Sequence, residues 1–254
     1  MISKLAEVSS KAIINENVTI ASFSTIYEDV TIGKGTTIHP KVTIYPGTTI
    51  GENCQIFPGA VIGIIPQDLK FNGENTTVEI GNNTIIRECV TIHRGTQDKW
   101  CTRIGDNCLL MTYVHIAHDC QIGNHVILAS YTGISGHVVI NDYAILEGKV
   151  AAQQFVEIGE HAFIGGGRVV LQDVPPYILA MGEPLKYAGI NSIGLRRRHF
   201  PPNIRDVIKR IYKVIFKSQT NLSDSIELIK KEYGEHKETA VILDFIKNSN
   251  RGLI

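Results

Sequence analysis

Apolar residues recur along this chain with a period of six, a spacing that neither an α-helix nor a β-strand produces. In one phase the positions read Ile2, Val8, Ile14, Ile20, Ile26, Ile32, Ile38, Ile44, Ile50, Ile56 and Ile62, then Ile80, Ile86 and Ile92. The same phase runs on through Ile104, Leu110, Ile116, Ile122, Leu128, Ile134, Ile140 and Leu146, passes Ala152, and closes with Ile158, Ile164 and Val170. Asp68, Glu74 and Asp98 are the polar residues in this register, and they mark two insertions. A chain that turns a corner every hexad, with one aliphatic side chain per hexad directed inward, closes a three-sided coil of about 18 residues. Such coils stack as parallel strands about 4.8 Å apart.

The expected fold is therefore mainly β, a left-handed parallel β-helix of hexapeptide repeats over residues 1–190, with insertions near 63–79 and 93–103. Two residues before each aliphatic comes a small or β-branched one, such as Val18, Val42, Cys54, Ala60, Thr84, Cys108, Val114 or Cys120, as a narrow interior requires. Glycine often follows the aliphatic (Gly33, Gly51, Gly81, Gly105, Gly123), which suggests corners that need its permissive backbone. The prism is expected to end near Val170, and Gln172-Asp173-Val174-Pro175-Pro176-Tyr177 breaks the period as a candidate hinge. Residues 191–254 form a helical domain. From Asn203 the residues Ile204, Val207, Ile208, Ile211 and Ile215 share one helical face, and two shorter helices fit about Ser223–Glu232, with Ser223 as N-cap, and about Lys237–Lys247.

Composition narrows the function. Apolar residues make up 43% and charged residues 20%, which excludes a disordered chain. The net charge of +0 gives no electrostatic case for nucleic acid, and no apolar run is long enough for an integral membrane segment. The first residues carry no basic segment followed by an apolar stretch, so the expected location is cytoplasmic. Five cysteines without a CxxC pair argue against disulfides and zinc ribbons, and Cys54, Cys108 and Cys120 read as inert core thiols.

A β-helix is a scaffold, and its chemistry must come from a site. Six of nine histidines (His93, His115, His118, His125, His137, His161) fall in its second half. His118, Gly136 and Gln154 are spaced by one coil and form an outward column beside Asp119 and His137. A histidine there can take a proton from a hydroxyl while a backbone N–H next to it stabilises an oxyanion, so direct attack on a thioester needs neither a covalent intermediate nor a cofactor. No Gly-x-Ser-x-Gly elbow is present. Two other readings stay open at this point. The histidines could be solvated or capping side chains on a structural β-helix, or His115-x-x-His118 with His137 could ligate zinc as in a metal-dependent hydratase.

Five motifs carry a resemblance across nearly the whole chain: Pro66-Gln67-Asp68-Leu69-Lys70, Arg87-Glu88-Cys89-Val90-Thr91-Ile92-His93-Arg94-Gly95-Thr96, His115-Ile116-Ala117-His118-Asp119-Cys120, the Gln172–Tyr177 segment, and Gly194-Leu195-Arg196-Arg197-Arg198. With them the sequence resembles the UDP-N-acetylglucosamine O-acyltransferase family of the first step of lipid A assembly. The resemblance implies a homotrimer with sites between adjacent prisms, and transfer of a 3-hydroxyacyl group from acyl carrier protein to a UDP-amino-sugar. It implies His118 as general base, Asp119 as its orienting carboxylate and Gly136 as the oxyanion N–H. It also implies that His115, His137 and Gln154 flank sugar and acyl chain, and that Gln67, Asp68 and Lys70 contact the nucleotide sugar. Asn191, Arg197 and Arg198 would bind uridine and diphosphate, no metal or cofactor is called for, and the Lys/Arg-rich helix (Lys209, Arg210, Lys213, Lys217) would face the acidic carrier. Gln153 and Ile193 depart from the family's usual histidine and acidic residue, which leaves open a 3-hydroxyl or 3-amino sugar. Gly166 falls where the family sets acyl length.

Overall fold

The computed structural model describes residues 1–217 and 221–254. The side chain of Lys217, one of the expected basic positions, lies outside the described set. Among the described residues, three sheets of nine, eight and ten strands form the faces of a left-handed parallel β-helix. The register follows the six-residue phase: Ile92, Ile116, Ile134, Ala152 and Val170 pair in succession up one face. These side chains are buried, with Ile92, Ile116 and Ile134 at 0% exposure. Each such burial is worth roughly 1.5–3 kcal/mol against the cost of ordering the chain.

The small positions do more than fit. The hydroxyl of Thr36 donates to Gly51 O (2.8 Å) and accepts from Cys54 N (3.0 Å), and Thr84 repeats this with Gly105 O (2.9 Å) and Cys108 N (3.1 Å). The thiols of Cys54, Cys108 and Cys120 each donate to a carbonyl of the next coil at 3.1 Å. Burial raises the Cys108 thiol to about 11 and the Cys120 thiol to about 12. These thiols are packing and hydrogen-bonding groups.

The corners correct one expectation. The left-handed backbone occurs three residues before the aliphatic, and it is taken by ordinary residues such as Asn17 (φ 58°), Phe23 (64°), Asp119 (61°) and His137 (62°). The glycines that follow the aliphatics are needed for a different reason. A Cβ on Gly105 would stand 2.7 Å from Gly123 C, so glycine lets consecutive coils touch backbone to backbone.

The ladder is interrupted between Ile64 and Thr77 and between His93 and Cys101. Across these gaps Ile50 pairs with Ile80 and Ile80 with Ile104, where a regular coil would reach positions 68 and 98. Coiling also continues past Val170. Ile158 bridges Val174, Phe163–Ile164 pairs with Leu179–Ala180, and the run Asp173–Ile178 is buried, so the proline pair lies inside a last coil and is no hinge. The strand Ile178–Met181 then meets Lys186–Ile190 antiparallel.

Among the described residues four helices follow: α1 (Ser192–Arg197), α2 (Pro202–Lys217), α3 (Leu222–Tyr233) and α4 (Lys237–Asn248). The apolar face of α2 buries Ile208 and Ile211 as its periodicity requires. Helix α3 begins earlier than expected, because Asn221 accepts from Asp224 N (2.8 Å) and serves as the N-cap in place of Ser223. The tail packs on its own prism. Tyr212 donates to Pro176 O (2.6 Å), and Asp173 accepts from Ser249 Oγ (2.7 Å) and Arg251 N (3.2 Å) while Leu253 bridges to it.

Candidate active site

The site is built on one corner of the prism. The strand His115–Ile116 ends, the chain turns through Ala117, His118 and Asp119, and the next face starts at Gln121. The left-handed backbone at Asp119 points its carboxylate back along the corner, and its N–H donates to Thr102 Oγ1 (2.8 Å). Oδ1 accepts from Thr96 N (2.8 Å) and Lys99 N (3.2 Å), and Oδ2 accepts from the Thr96 hydroxyl (2.6 Å). His118 Nδ1 lies 2.8 Å from the same Oδ2. Burial pushes this carboxyl up, but the hydrogen bonds from His118, from the Thr96 hydroxyl and from the two N–H groups outweigh burial and hold it down to about 2. An ionised acceptor on Nδ1 assigns the ring proton to that nitrogen and leaves Nε2 with its lone pair.

Gly136 sits one coil above. A Cβ there would stand 2.6 Å from His118 Cε1 and 2.7 Å from Nε2, so the imidazole occupies the space a side chain would fill. The neighbouring amides are bonded, Ser135 N to Ala152 O (3.1 Å) and His137 N to His118 O (3.0 Å). The Gly136 N–H has no such partner among the described residues. His118 and Gly136 are both buried and lie side by side, with Gln154 exposed a further coil on.

The flanking histidines are fixed. His137 stacks on Phe155 (4.5 Å, 12°), meets the His118 ring edge-on (4.9 Å, 87°), and bonds Asp98 Oδ2 through Nδ1 (2.9 Å). His115 bonds the Thr91 hydroxyl (2.8 Å) and meets buried His93 edge-on (4.9 Å, 88°). Burial, with the nearby charges of His115 and His118, takes His93 down to about 4, and burial lowers His115 as well. A cavity of about 310 Å³ opens beside His137, walled by Asp68, Lys70, Thr96, Asp98 and Phe155. Gln67 is exposed on the same insertion.

Other expected residues gather elsewhere on the chain. Asn191, Arg197 and Arg198 line a cavity of about 700 Å³ with the apolar Ile127, Ile145 and Phe163, and it shares no wall with the first. Both ends of the Asn191 amide are engaged, Oδ1 by Gly194 N (3.0 Å) as the cap of α1 and Nδ2 with His161 O (3.0 Å). Arg198 lies over the Tyr143 ring (5.1 Å) and donates from Nη2 to Tyr143 O (3.1 Å), its Nη1 is buried without a partner among the described residues, and burial lowers its pKa. Gly166 is half-buried, and a Cβ there would stand 3.1 Å from Gly148 O.

Nitrogen and oxygen atoms of His118, Asp119 and His137 lie within 4.8 Å of one another, the spacing of a possible ion site. His115 is not in that group, and an ion there would have to displace the proton between His118 Nδ1 and Asp119. Sequence reasoning missed Thr96, Lys99, Asp98 and Phe155. Asp98 registered only as a break in the hexad phase, and nothing local tied Thr96 to Asp119.

Comparison with known proteins bears on the whole constellation. A family model described as "Udp N-acetylglucosamine O-acyltransferase; Domain 2" matches residues 173–254, and one described as "Bacterial transferase hexapeptide (six repeats)" matches residues 11–46, 29–64 and 101–136. The chain is similar to the acyl-[acyl-carrier-protein]–UDP-N-acetylglucosamine O-acyltransferase of Aquifex aeolicus, with 53% identity over 75% of this chain and 74% of that protein. The enzyme of the same name from Thiobacillus denitrificans is 39% identical over 76% of this chain and 75% of its own. A solved UDP-N-acetylglucosamine acyltransferase from Bacteroides fragilis superposes over 100% of both chains with TM-score 0.99 and 47% identity. That from Francisella novicida matches with TM-score 0.97 and 40% identity, over 100% of this chain and 94% of its own.

Proposed function

The chain belongs to the UDP-N-acetylglucosamine O-acyltransferase family, and from that premise we propose that it carries an (R)-3-hydroxyacyl group from acyl carrier protein to the 3-position of UDP-N-acetylglucosamine, the first step of lipid A biosynthesis. The observation that carries this reading is the His118–Asp119 pair lying against Gly136, whose N–H has no backbone partner among the described residues. His118 Nε2 removes the proton of the sugar 3-hydroxyl as the oxygen attacks the thioester carbonyl. A C–O bond forms, the Gly136 N–H stabilises the oxyanion, the C–S bond breaks, and His118 returns its proton to the departing thiolate. Asp119 keeps the ring in the required tautomer and stabilises the imidazolium.

Substrate contacts divide between the two cavities. Asp68 and Lys70, with Gln67 beside them, and the flanking His115, His137 and Gln154 take the sugar and the acyl chain near the base. Arg197 and Arg198 take uridine and diphosphate, a task suited to guanidinium forks, with Asn191 fixing the helix that presents them. Because the two groups are apart on one chain, a homotrimer in which neighbouring prisms face each other completes each site. Lys209 and Lys213 line a cavity of about 460 Å³ with Tyr187 and Ser192 and offer charge to an acidic carrier protein, whereas Arg210 is bonded to Asp206 (3.0 Å). The reaction is placed in the cytoplasm, where carrier and nucleotide sugar are available. Gly166 sets the acyl length.

The experiment is an assay of purified protein with UDP-N-acetylglucosamine, its 3-amino analogue, and 3-hydroxyacyl carrier proteins of several lengths. Ester formation on the 3-hydroxyl sugar is expected. Amide formation on the amino sugar alone would reassign the acceptor, and no transfer to either would remove the proposal.

A further inference from the structure

The Asp119 carboxylate offers about four acceptor positions, and in this structure all are used: Oδ1 by Thr96 N (2.8 Å) and Lys99 N (3.2 Å), Oδ2 by the Thr96 hydroxyl (2.6 Å) and His118 Nδ1 (2.8 Å). Two of the four donors belong to Thr96, a residue on the second insertion, outside the repeat. The loop that bears it is fixed at both ends. Gly95 N donates to Thr77 O (3.2 Å), Trp100 N donates to Thr96 O (2.8 Å), and a Cβ on Gly95 would stand 2.5 Å from Cys101 N. The Thr96 hydroxyl also receives Asp98 N (3.4 Å), which leaves its own hydrogen for Asp119.

We propose that Thr96 is a positioning residue for acyl transfer, its hydroxyl and N–H aiming the Asp119 carboxylate at His118 Nδ1. The repeat therefore supplies the base, and the insertion sets how strongly its partner holds it. This inference rests on the reading of His118 as the base. Without the hydroxyl, Oδ2 has His118 as its one donor. The carboxylate then loses one of the contacts that fix its direction, and it aims the imidazole less well. Thr96 touches no reacting atom in this scheme, and its loss acts on kcat rather than on substrate binding.

The test compares wild type, Thr96→Val and Thr96→Ser. Steady-state kinetics with UDP-N-acetylglucosamine and 3-hydroxyacyl carrier protein are measured on all three proteins, and thermal melting confirms that each is folded. Thr96→Val is expected to lower kcat about tenfold, equivalent to about 1.4 kcal/mol of barrier, with KM within about twofold. Thr96→Ser, which keeps the hydroxyl, restores kcat. A folded Thr96→Val with wild-type kcat, or a higher KM at unchanged kcat, overturns the proposal, as does a Thr96→Ser variant that behaves like Val. If wild type itself transfers no acyl group, the functional reading fails and this inference falls with it, whereas an active wild type beside an unaffected Thr96→Val overturns this inference alone.

Discussion

Replacing Gly136 by alanine is a small change with a large expected consequence. The added Cβ would stand 2.6 Å from His118 Cε1 and 2.7 Å from Nε2, while ordinary contact begins at 3.4 Å. The ring must retreat by about 0.8 Å. It cannot do so freely, because Nδ1 is tied to Asp119 (2.8 Å) and the centre of the perpendicular His137 ring stands 4.9 Å from its own. A displacement near 1 Å at a reacting group costs on the order of 10²-fold in rate, or about 2.7 kcal/mol. The backbone at Gly136 is not left-handed, so alanine is conformationally tolerated, and it keeps the N–H. The assay is kcat and KM for acyl transfer, with thermal melting to confirm the fold. Gly136→Ala is expected to lose about 10²-fold in kcat, and to add little to the loss in a His118→Ala background, since both act through one ring. A folded Gly136→Ala enzyme within about threefold of wild-type kcat would refute the steric argument.

Three further outcomes are expected. Asp173→Ala removes the acceptor for Glu157 N (2.8 Å), Ser249 Oγ (2.7 Å) and Arg251 N (3.2 Å) and unpins the C-terminal tail, at a cost of about 2–3 kcal/mol, and an unchanged urea midpoint would contradict this. Stability should fall in acid: burial, aided by neighbouring cations, takes His93 and His161 from 6.5 to about 4, so between these values the unfolded chain binds protons that the folded one excludes. Asp119, held at about 2, adds a loss as pH falls below its ordinary value of about 3.9; a urea midpoint that stays flat from neutral pH to about 4 would oppose the histidine effect, and one that stays flat below about 4 would oppose that of Asp119. Cys54, Cys108 and Cys120 should stay unlabelled by a thiol reagent at mildly alkaline pH in the folded protein, read by peptide mass spectrometry, and labelling of Cys120 would contradict its burial.

The interior of the fold is legible because each hexad has one inward position and isoleucine fills most of them, so Ile20 to Ile62 announces the prism without any long-range information. The corners are not legible. Residues as different as Asn17, Phe23 and His137 take positive φ because the coil geometry imposes it, and the conspicuous glycines serve close backbone contact instead. At the site, His118, Gly136 and Gln154 could be aligned because they are spaced by one coil. Thr96 and Asp98 could not, since their partners Asp119 and His137 are reached from an insertion with no register of its own. Helix α1 was missed because six residues give too little periodicity to read, and its cap, Asn191, stood out only through a resemblance. That resemblance pointed to a ligand contact, while the structure shows an amide also engaged in holding the helix.

In the proposed reaction the proton acceptor is His118, at a corner of the prism. The most direct measurement is the rate of acyl transfer by His118→Ala beside wild type, on fully folded protein of the same oligomeric size as wild type. A fall of roughly 10² to 10⁴-fold with an unchanged melting curve is predicted. Near-normal turnover by the folded variant would contradict it.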